Sequence, residues 1–308
     1  MAVDRDIVWL FGVPIDCVSL DRAVDRIMAF TEGSADDARL PRLVTTVNTD
    51  FLAKALSWFN APPRHPEMMR ILRQADLSTA DGMPLVWAAR LLGSRLPERV
   101  TGADLVPALA RRAAAEGRSV YLFGGSLQSA RDAAALLARE NPSLRIAGVD
   151  TPFVTTEGTG LATAEKEDIP LCEKINAATP DILLIAFGNP KQELWFARNR
   201  HRLNARVAIG IGGTFNFIAG RIARAPVWMQ KTGLEWLFRL SCEPRRLFRR
   251  YMVDFLKVGS RVIAGAAVFR SGQCRHLLTG KTASAQALPA VSCFYAGERV
   301  IRLVNMSS

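Results

Sequence analysis

Polar side chains at the ends of predicted strands are the residues of this sequence that could do chemistry. Thr46 and Asn48 close the apolar run RLVTTVN, and Asp81 lies in an Asp-Gly turn. Gln192 and Glu193 fall in the first turn of a helix predicted to open at residue 190. A carboxylate can accept a proton from a reacting hydroxyl, and a primary amide can both donate to and accept from ligand hydroxyls. Open α/β sheets place their ligands at such strand ends, so we predict a site there.

Each of these residues also has a purely structural explanation. Thr46 and Asn48 suit the start of a helix, and Asp81 suits a turn. The carboxylate of Glu193 would interact well with the dipole of its own helix. Residue types alone favour turn chemistry for Asp81, whereas the amide of Gln192 at the mouth of a sheet is harder to explain in this way.

Glycines at the strand ends form a second group. Gly124 and Gly125 lie between a predicted strand and a predicted helix, where backbone N–H groups can hold a phosphate. A tight turn would also explain them. With Gly188 and Gly213, which follow later strands, they form the predicted nucleotide-binding set.

Several familiar kinds of site are missing from the sequence. The three histidines sit in no motif, which argues against a His-based triad or a His-rich metal site. The chain has no Walker A loop, and GIGGTF at 210–215 fails the dinucleotide fingerprint. The Asp-x-Asp spacing occurs only at Asp4 and Asp6, at the extreme N-terminus. We therefore predict neither a metal nor a cofactor.

Alternating strands and helices predict the framework that positions these side chains. Helical patterns separate short apolar runs, which are predicted strands at 8–15, 42–48, 119–125, 145–149, 180–188 and 206–213. The run at 180–188 is apolar enough for a strand covered on both faces. The pattern predicts an α/β fold, with a mostly parallel Rossmann-like sheet flanked by helices. The polar stretch 155–170 is predicted to be loop-like.

The C-terminal part carries most of the positive charge. Residues 221–275 hold twelve Lys or Arg and three acidic residues, which accounts for +9 of the net charge of +11. We predict an α/β catalytic core over 1–220, a basic helical C-terminal appendage over 221–272, and a tail without clear periodicity over 273–308.

The apolar residues of the appendage have two interpretations. Tyr251, Phe255, Val258 and Val262 recur at helical spacing among Arg and Lys residues. Such a helix can lie in a membrane interface, or its apolar stripe can dock on the core while its charges are solvated. The pattern alone favours docking.

Neither export nor membrane insertion is predicted. The N-terminus does not resemble a signal peptide, and no window reaches ~18 uncharged apolar residues. The five cysteines are scattered without disulfide-framework or metal-ligand spacing. The sequence therefore predicts a chain that is made and kept in the cytosol.

Six motifs, taken in order, resemble those of one known family. They are VTTVNTDFLAKAL (44–56), ADGMPLVWAARLLG (80–93), PERVTGADLV (97–106), AFGNPKQELWFARNR (186–200), GIGGTFNFIAGRIARAPVWMQKTGLEWLFRL (210–240) and CEPRRLFRRY (242–251). Together they resemble the WecG/TagA/CpsF family, glycosyltransferase family 26. The resemblance spans residues 8–260 of this chain.

The resemblance implies inverting transfer of a sugar from a UDP-sugar to a polyprenyl-diphosphate-linked saccharide, in bacterial cell-surface or exopolysaccharide biosynthesis. Family donors carry N-acetylmannosamine, its uronic acid or glucose. The resemblance also implies that Asp81 is the general base. The family's substrate-binding positions correspond here to Thr46, Asn48, Arg99, Gln192, Arg239, Arg246 and Arg249.

The resemblance further implies that the appendage closes over the site and touches the inner face of the cell membrane. An anionic membrane surface would then be a partner, beside the donor and the lipid-linked acceptor. Because arginine can bind phosphate through two parallel hydrogen bonds, we expect arginines in place of a metal at the leaving diphosphate. The sequence leaves open whether the protein forms a homo-oligomer.

Two other functions fit part of the sequence. A basic nucleic-acid-binding protein would explain the charge, but the basic segment contains no known nucleic-acid motif, and we predict no nucleic-acid partner. A nicotinamide-dependent Rossmann enzyme would explain the fold, but its fingerprint is absent.

Overall fold

A computed structural model describes residues 5–32, 40–57, 65–158 and 160–270. The predicted tail at 273–308 lies outside the described residues, as do Asp4 and the start of the chain.

The chain begins with a β-hairpin. Strands β1 (Ile7–Leu10) and β2 (Val13–Asp16) pair antiparallel. The prediction of one strand over 8–15 is therefore wrong. Phe11 and Gly12 form the turn with φ of 55° and 81°, and two consecutive positive φ values match the twist of a two-residue hairpin. Because an apolar residue such as Phe11 is not typical of a turn, the apolar run was predicted to be one continuous strand.

A six-stranded sheet forms the centre of the molecule, and all of its paired strands are parallel. Its strands are β3 (Arg42–Val47), β4 (Leu77–Ala80), β5 (Ser119–Gly124), β6 (Arg145–Asp150), β7 (Ile182–Ala186) and β8 (Val207–Gly210). Their order across the sheet is β4-β3-β8-β7-β5-β6. The predicted α/β fold with a mostly parallel sheet is confirmed.

Helices cover both faces of this sheet. The chain forms α1 (Leu20–Phe30), α2 (Thr49–Ala55), α3 (Pro66–Arg73), α4 (Met83–Leu91), α5 (Gly102–Ala115), α6 (Leu127–Glu140), α7 (Leu161–Ala177), α8 (Lys191–Asn199), α9 (Thr214–Ile218), α10 (Val227–Thr232), α11 (Glu235–Cys242), α12 (Pro244–Asp254) and α13 (Ser260–Arg270). Buried residues of α1, α5, α6 and α9 share one core cluster, and those of α3, α7 and α8 share another.

Two elements were missed because their residues are polar. Strand β4 contains Ser78 and Thr79, which are fully buried. Ser78 accepts a hydrogen bond from Thr45 Oγ1 at 3.1 Å, and Thr79 Oγ1 donates to the backbone oxygen of Val100 at 3.1 Å. The loop predicted at 155–170 is wrong from Leu161 on, where α7 begins.

The C-terminal helices are fastened to the core. Val258 and Val262 join the core cluster formed by the hairpin, α2, α3 and α4. Lys257 and Arg261 turn inward, and they donate to the backbone oxygens of Ala53 and Ser57 at 3.0 and 2.7 Å. Cations at this position stabilise the negative end of α2. Thus part of the stripe docks on the core, as its pattern favoured, and two of its basic residues are not available to a membrane. Among the described residues, no helix is both long enough and apolar enough to span a bilayer.

Candidate active site

Asp81 follows the edge strand β4, and the local backbone explains the Asp-Gly pair. Gly82 has φ of 128° and ψ of 146° where it precedes α4, and residues with a side chain rarely adopt this conformation. The neighbouring strand β3 delivers Asn48. Its Oδ1 accepts from the Phe51 N–H at 3.2 Å, which caps α2, while its Nδ2 donates to Asp81 at 3.4 Å. Asn48 therefore caps a helix and also contacts the candidate base.

The chain brings Arg99 back to the same strand end. The backbone N–H of Val100 donates to the carbonyl of Ala80 at 2.8 Å, which places Arg99 beside Asp81. The Arg99 guanidinium pairs with Glu235 of α11 at 2.5 Å and donates to Gln230 at 3.3 Å. This arginine thus ties the C-terminal helices to the strand end that carries Asp81.

A close helix contact brings α11 over the site. Gly233, between α10 and α11, has φ of 82°, and a Cβ there would lie 2.6 Å from Trp87 and 2.8 Å from Met83 of α4. Only glycine fits against the helix that starts directly after Asp81-Gly82. One turn into α11, Arg239 stacks 5.1 Å above the ring of Phe217.

Arg239 holds an unused donor. Its Nε is buried and has no hydrogen-bond partner among the described residues. A buried donor without a partner is costly in a folded protein, so a ligand that accepts this hydrogen bond would remove the cost. The charge of Arg239 also acts on Asp81, as the pKa of that carboxyl shows.

The pKa of Asp81 is raised to about 6, chiefly because the surrounding protein desolvates the carboxylate. The hydrogen bond from Asn48 and the charges of Arg239 and Arg99 lower this pKa, while the charge of Glu235 raises it. At neutral pH the carboxylate is mostly ionised, and its pKa is close enough to 7 for efficient proton acceptance.

Gln192 and Thr46 are buried residues that link neighbouring strand ends. Gln192 is 1 % exposed, and its Oε1 accepts from the N–H groups of Gly188 and Gly212 at 3.2 and 3.0 Å. Its Nε2 donates to Glu193 at 2.7 Å. Thr46 Oγ1 donates to the carbonyl of Gly210 at 2.8 Å. The predicted contacts of both residues with substrate remain a prediction.

Glu193 is not the exposed, charged carboxylate at a helix end that its position in the sequence suggested. It is 1 % exposed, and burial raises its pKa to about 8. The carboxyl is therefore mostly protonated at neutral pH, so the dipole of α8 does not explain its presence. Its Oε1 accepts from Gln192, so Glu193 orients the amide that links the ends of β7 and β8.

The predicted glycines lie at the carboxyl ends of β5, β7 and β8. Gly124, Gly125 and Gly188 have φ of 99°, 74° and 76°. A Cβ on Gly124 would lie 2.9 Å from the ring of Phe187, so this glycine allows an aromatic ring to approach the backbone. Gly213 precedes α9 with φ of −82°. Nucleotide binding by these four residues remains a prediction.

Arg246 and Arg249 lie farther out, on the exposed face of α12. Arg246 pairs with Glu243 at 2.5 Å. Burial raises the pKa of Tyr251, and the charges of Arg239 and Arg246 lower it. The centre of its ring lies 6.3 Å from that of Trp236. The structure thus gathers Asp81, Asn48, Arg99 and Arg239, and it leaves Arg246 and Arg249 on the exposed face of α12.

Glu235 is the site residue that the sequence did not reveal. It pairs with Arg99 and also lies 3.5 Å from Arg224, which pairs with Asp104 at 2.5 Å. In the sequence, Glu235 stands out only as one of three acidic residues in a basic segment. An acidic residue four positions before Arg239 on one helix was the available signal, since such residues share a face.

Substitution of Glu235 by glutamine should move the acid limb of the activity profile to lower pH. Glu235 raises the pKa of Asp81, and its loss also frees the charge of Arg99 to act on that carboxylate. Because a base works in its ionised form, activity should rise with pH through the pKa of Asp81. The measurement is kcat against pH for the Glu235→Gln variant, with Glu243→Gln as control. An unmoved acid limb in Glu235→Gln would contradict this electrostatic coupling.

A parallel α/β sheet with a carboxylate of raised pKa and clustered guanidinium groups at its carboxyl edge is an arrangement suited to a group-transfer enzyme. Comparison with known proteins identifies the transferred group as a glycosyl group. Residues 8–271 match the glycosyl transferase WecG/TagA/CpsF family, and the chain belongs to that family. The resemblance inferred from the six motifs is confirmed.

Two curated relatives carry the same name, N-acetylglucosaminyldiphosphoundecaprenol N-acetyl-beta-D-mannosaminyltransferase. The protein of Bacillus spizizenii (strain W23) is 30 % identical over 199 residues, which cover 63 % of this chain and 73 % of that protein. The protein of Bacillus subtilis (strain 168) is 27 % identical over 226 residues, which cover 72 % and 81 %.

Proposed function

We propose that this glycosyltransferase moves a sugar from a UDP-sugar to a polyprenyl-diphosphate-linked saccharide, with inversion at the anomeric carbon. The observation that carries the proposal is the meeting of Asp81 with Arg239 and Arg99 at one end of the sheet. The names of the two relatives support the acceptor, since both act on an N-acetylglucosaminyl-diphospho-lipid.

The proposed reaction is one in-line displacement. Asp81 accepts the proton of the acceptor hydroxyl as its oxygen forms the new bond to the anomeric carbon. The bond from that carbon to the UDP oxygen breaks, and its electron pair leaves with UDP. The guanidinium of Arg239, with its unused Nε donor, stabilises the charge that develops on the diphosphate. Arg99 is a second donor once the diphosphate competes with Glu235 for it.

The test is product analysis with the whole chain. The protein is incubated with a panel of UDP-sugars carrying N-acetylmannosamine, its uronic acid or glucose, and with a short-chain polyprenyl-diphosphate N-acetylglucosamine. Mass spectrometry should show one hexosyl unit added from one donor, and EDTA should leave the rate unchanged. Absence of transfer from every donor would contradict the proposed function, and loss of transfer in EDTA would contradict the role given to the arginines.

We also propose that the exposed face of α12 rests on the cytoplasmic surface of the membrane. Phe248 and Met252 of α12, with Phe255 directly after it, recur at helical spacing and are 60 %, 43 % and 62 % exposed. Arg245 and Arg249 are exposed beside them. Apolar side chains flanked by arginines suit an anionic lipid interface, where each basic residue contributes ~1 kcal/mol.

Serine at Phe248 and Phe255 together should abolish most binding to anionic vesicles. Both rings are exposed, so the double variant should keep the fold and should transfer sugar to a water-soluble acceptor at the normal rate. Co-sedimentation with vesicles of phosphatidylglycerol and phosphatidylcholine measures the effect, and Ile169→Ser on α7 is the control. Equal sedimentation of the double variant and the parent chain would rule out this face as the membrane contact.

A further inference from the structure

A groove at the carboxyl ends of β5, β6 and β7 lies outside the residues assigned to catalysis. Its lining comprises Gly125, Pro152, Phe153, Val154, Ala186, Phe187 and Lys191. Its volume is about 230 Å³. Pockets that enclose a drug-sized ligand span roughly 300–1,000 Å³, so this groove suits one ring system and not a whole nucleotide-sugar.

The topology makes this groove the expected ligand position of the sheet. From β5 the chain passes through α6 to β6 on one side, and from the adjacent β7 it passes through α8 to β8 on the other. Helices α6 and α8 pack on opposite faces. The loops after β5 and β7 therefore diverge, and open α/β sheets bind their ligands in the crevice at such a switch point.

The groove is lined by aromatic rings that suit a planar ligand. Phe153 is 84 % exposed, and it lies in a segment that is neither helix nor strand. Lys191 Nζ lies 5.1 Å from the centre of its ring. Phe187 packs edge-on against Phe123 at 5.1 Å and has part of its ring in the groove. Gly125 also lines the groove, and its φ of 74° is a conformation that favours glycine.

We propose that this groove holds the base of the donor nucleotide, with Phe153 stacked on the ring and Lys191 beside it. The inference rests on the proposed function and adds the position and the recognising residues of the nucleoside. Stacking on an aromatic side chain is open to any base, and the UDP donor of the proposed function makes this base the pyrimidine uracil.

The separation from Asp81 agrees with this position. Strand β7 is three strands from β4 and β5 is four, which corresponds to about 14 to 19 Å at ~4.8 Å per strand. The ends of β7 and β8, with Gly188 and Gly213, lie between the two. A donor laid along this edge would have its base in the groove, its diphosphate near the glycines and its sugar beside Asp81.

Calorimetric titration of the whole protein with UDP tests the assignment. Phe153→Ala should weaken UDP binding about tenfold or more, the size expected for loss of one base–aromatic stack, and Lys191→Ala should weaken it less. Neither variant should alter inhibition of transfer by inorganic pyrophosphate, which has no base. The donor KM should rise while kcat stays unchanged. Ile169→Ala and Lys166→Ala on α7 provide matched exposed controls.

The outcomes separate the inference from the proposed function. If the parent chain binds UDP and transfers sugar but Phe153→Ala binds UDP equally well, the base lies elsewhere and the transferase proposal stands. If the parent chain neither binds UDP nor transfers sugar from any UDP donor, the proposed function fails and this assignment fails with it. Tighter binding of ADP than of UDP would also overturn the pyrimidine assignment.

Discussion

Substitution of Asp81 by asparagine is expected to lower kcat for sugar transfer by about 10²–10⁴-fold, the usual contribution of a positioned general base. The asparagine amide has nearly the same shape, so it should keep the contact with Asn48 and the turn at Gly82. It cannot accept the hydroxyl proton. The acceptor must then react with its proton in place, while the donor KM and UDP binding change little.

Steady-state kinetics with saturating acceptor measures this loss. Asp132→Asn is the control, because Asp132 is an exposed carboxylate of α6 that pairs with Arg221. It should transfer at the parent rate. Parent-like kcat in Asp81→Asn would remove Asp81 from the role of base, whatever the other variants show.

Replacement of Arg239 by alanine should also lower kcat for sugar transfer strongly. The loss of one preorganised donor at a developing charge typically costs about 10²–10³-fold in kcat. Arg239 offers a buried Nε without a partner, and it is one of two arginines whose charge acts on Asp81. Lysine should restore little, because an ammonium lacks the planar fork that binds phosphate in two places.

The Arg239 experiment also needs a measurement of folding. Arg239 stacks on Phe217, so thermal unfolding should be recorded together with transfer. Arg131→Ala, on the exposed side of α6, is the control. A folded Arg239→Ala variant with normal kcat would exclude the leaving diphosphate as the partner of this guanidinium.

The sequence predicted the sheet well because buried parallel strands are long apolar runs. Strand β7 is the clearest example, since all five of its residues are buried. Prediction from the sequence failed where polar residues are buried in a strand, and where an apolar residue forms part of a turn. Ser78 and Thr79 concealed β4, and Phe11 concealed the hairpin turn. In each case tertiary hydrogen bonds or neighbouring strands, which periodicity does not report, decide the local conformation.

The residues of the candidate site also differ in whether the sequence could indicate their roles. The Asp-Gly pair could be predicted to form a turn, and Gly82 does adopt a conformation that other residues rarely adopt, but only the family resemblance implied that Asp81 is a base. The role of Glu235 could not, because its partner Arg99 is 136 positions away. Charge counting also misjudged the C-terminal segment. Both interpretations of the apolar stripe left its basic residues exposed, whereas Lys257 and Arg261 point into the protein and donate to the backbone oxygens of Ala53 and Ser57.

Stereochemistry of the product tests the central claim most directly. If Asp81 activates the acceptor hydroxyl for a single displacement, the sugar must reach the acceptor with its anomeric configuration inverted. NMR of the purified lipid-linked product should therefore show a β linkage when the UDP-sugar is α-linked. An α linkage in that product would require two displacements or a different mechanism, and it would contradict Asp81 as the base of a one-step transfer.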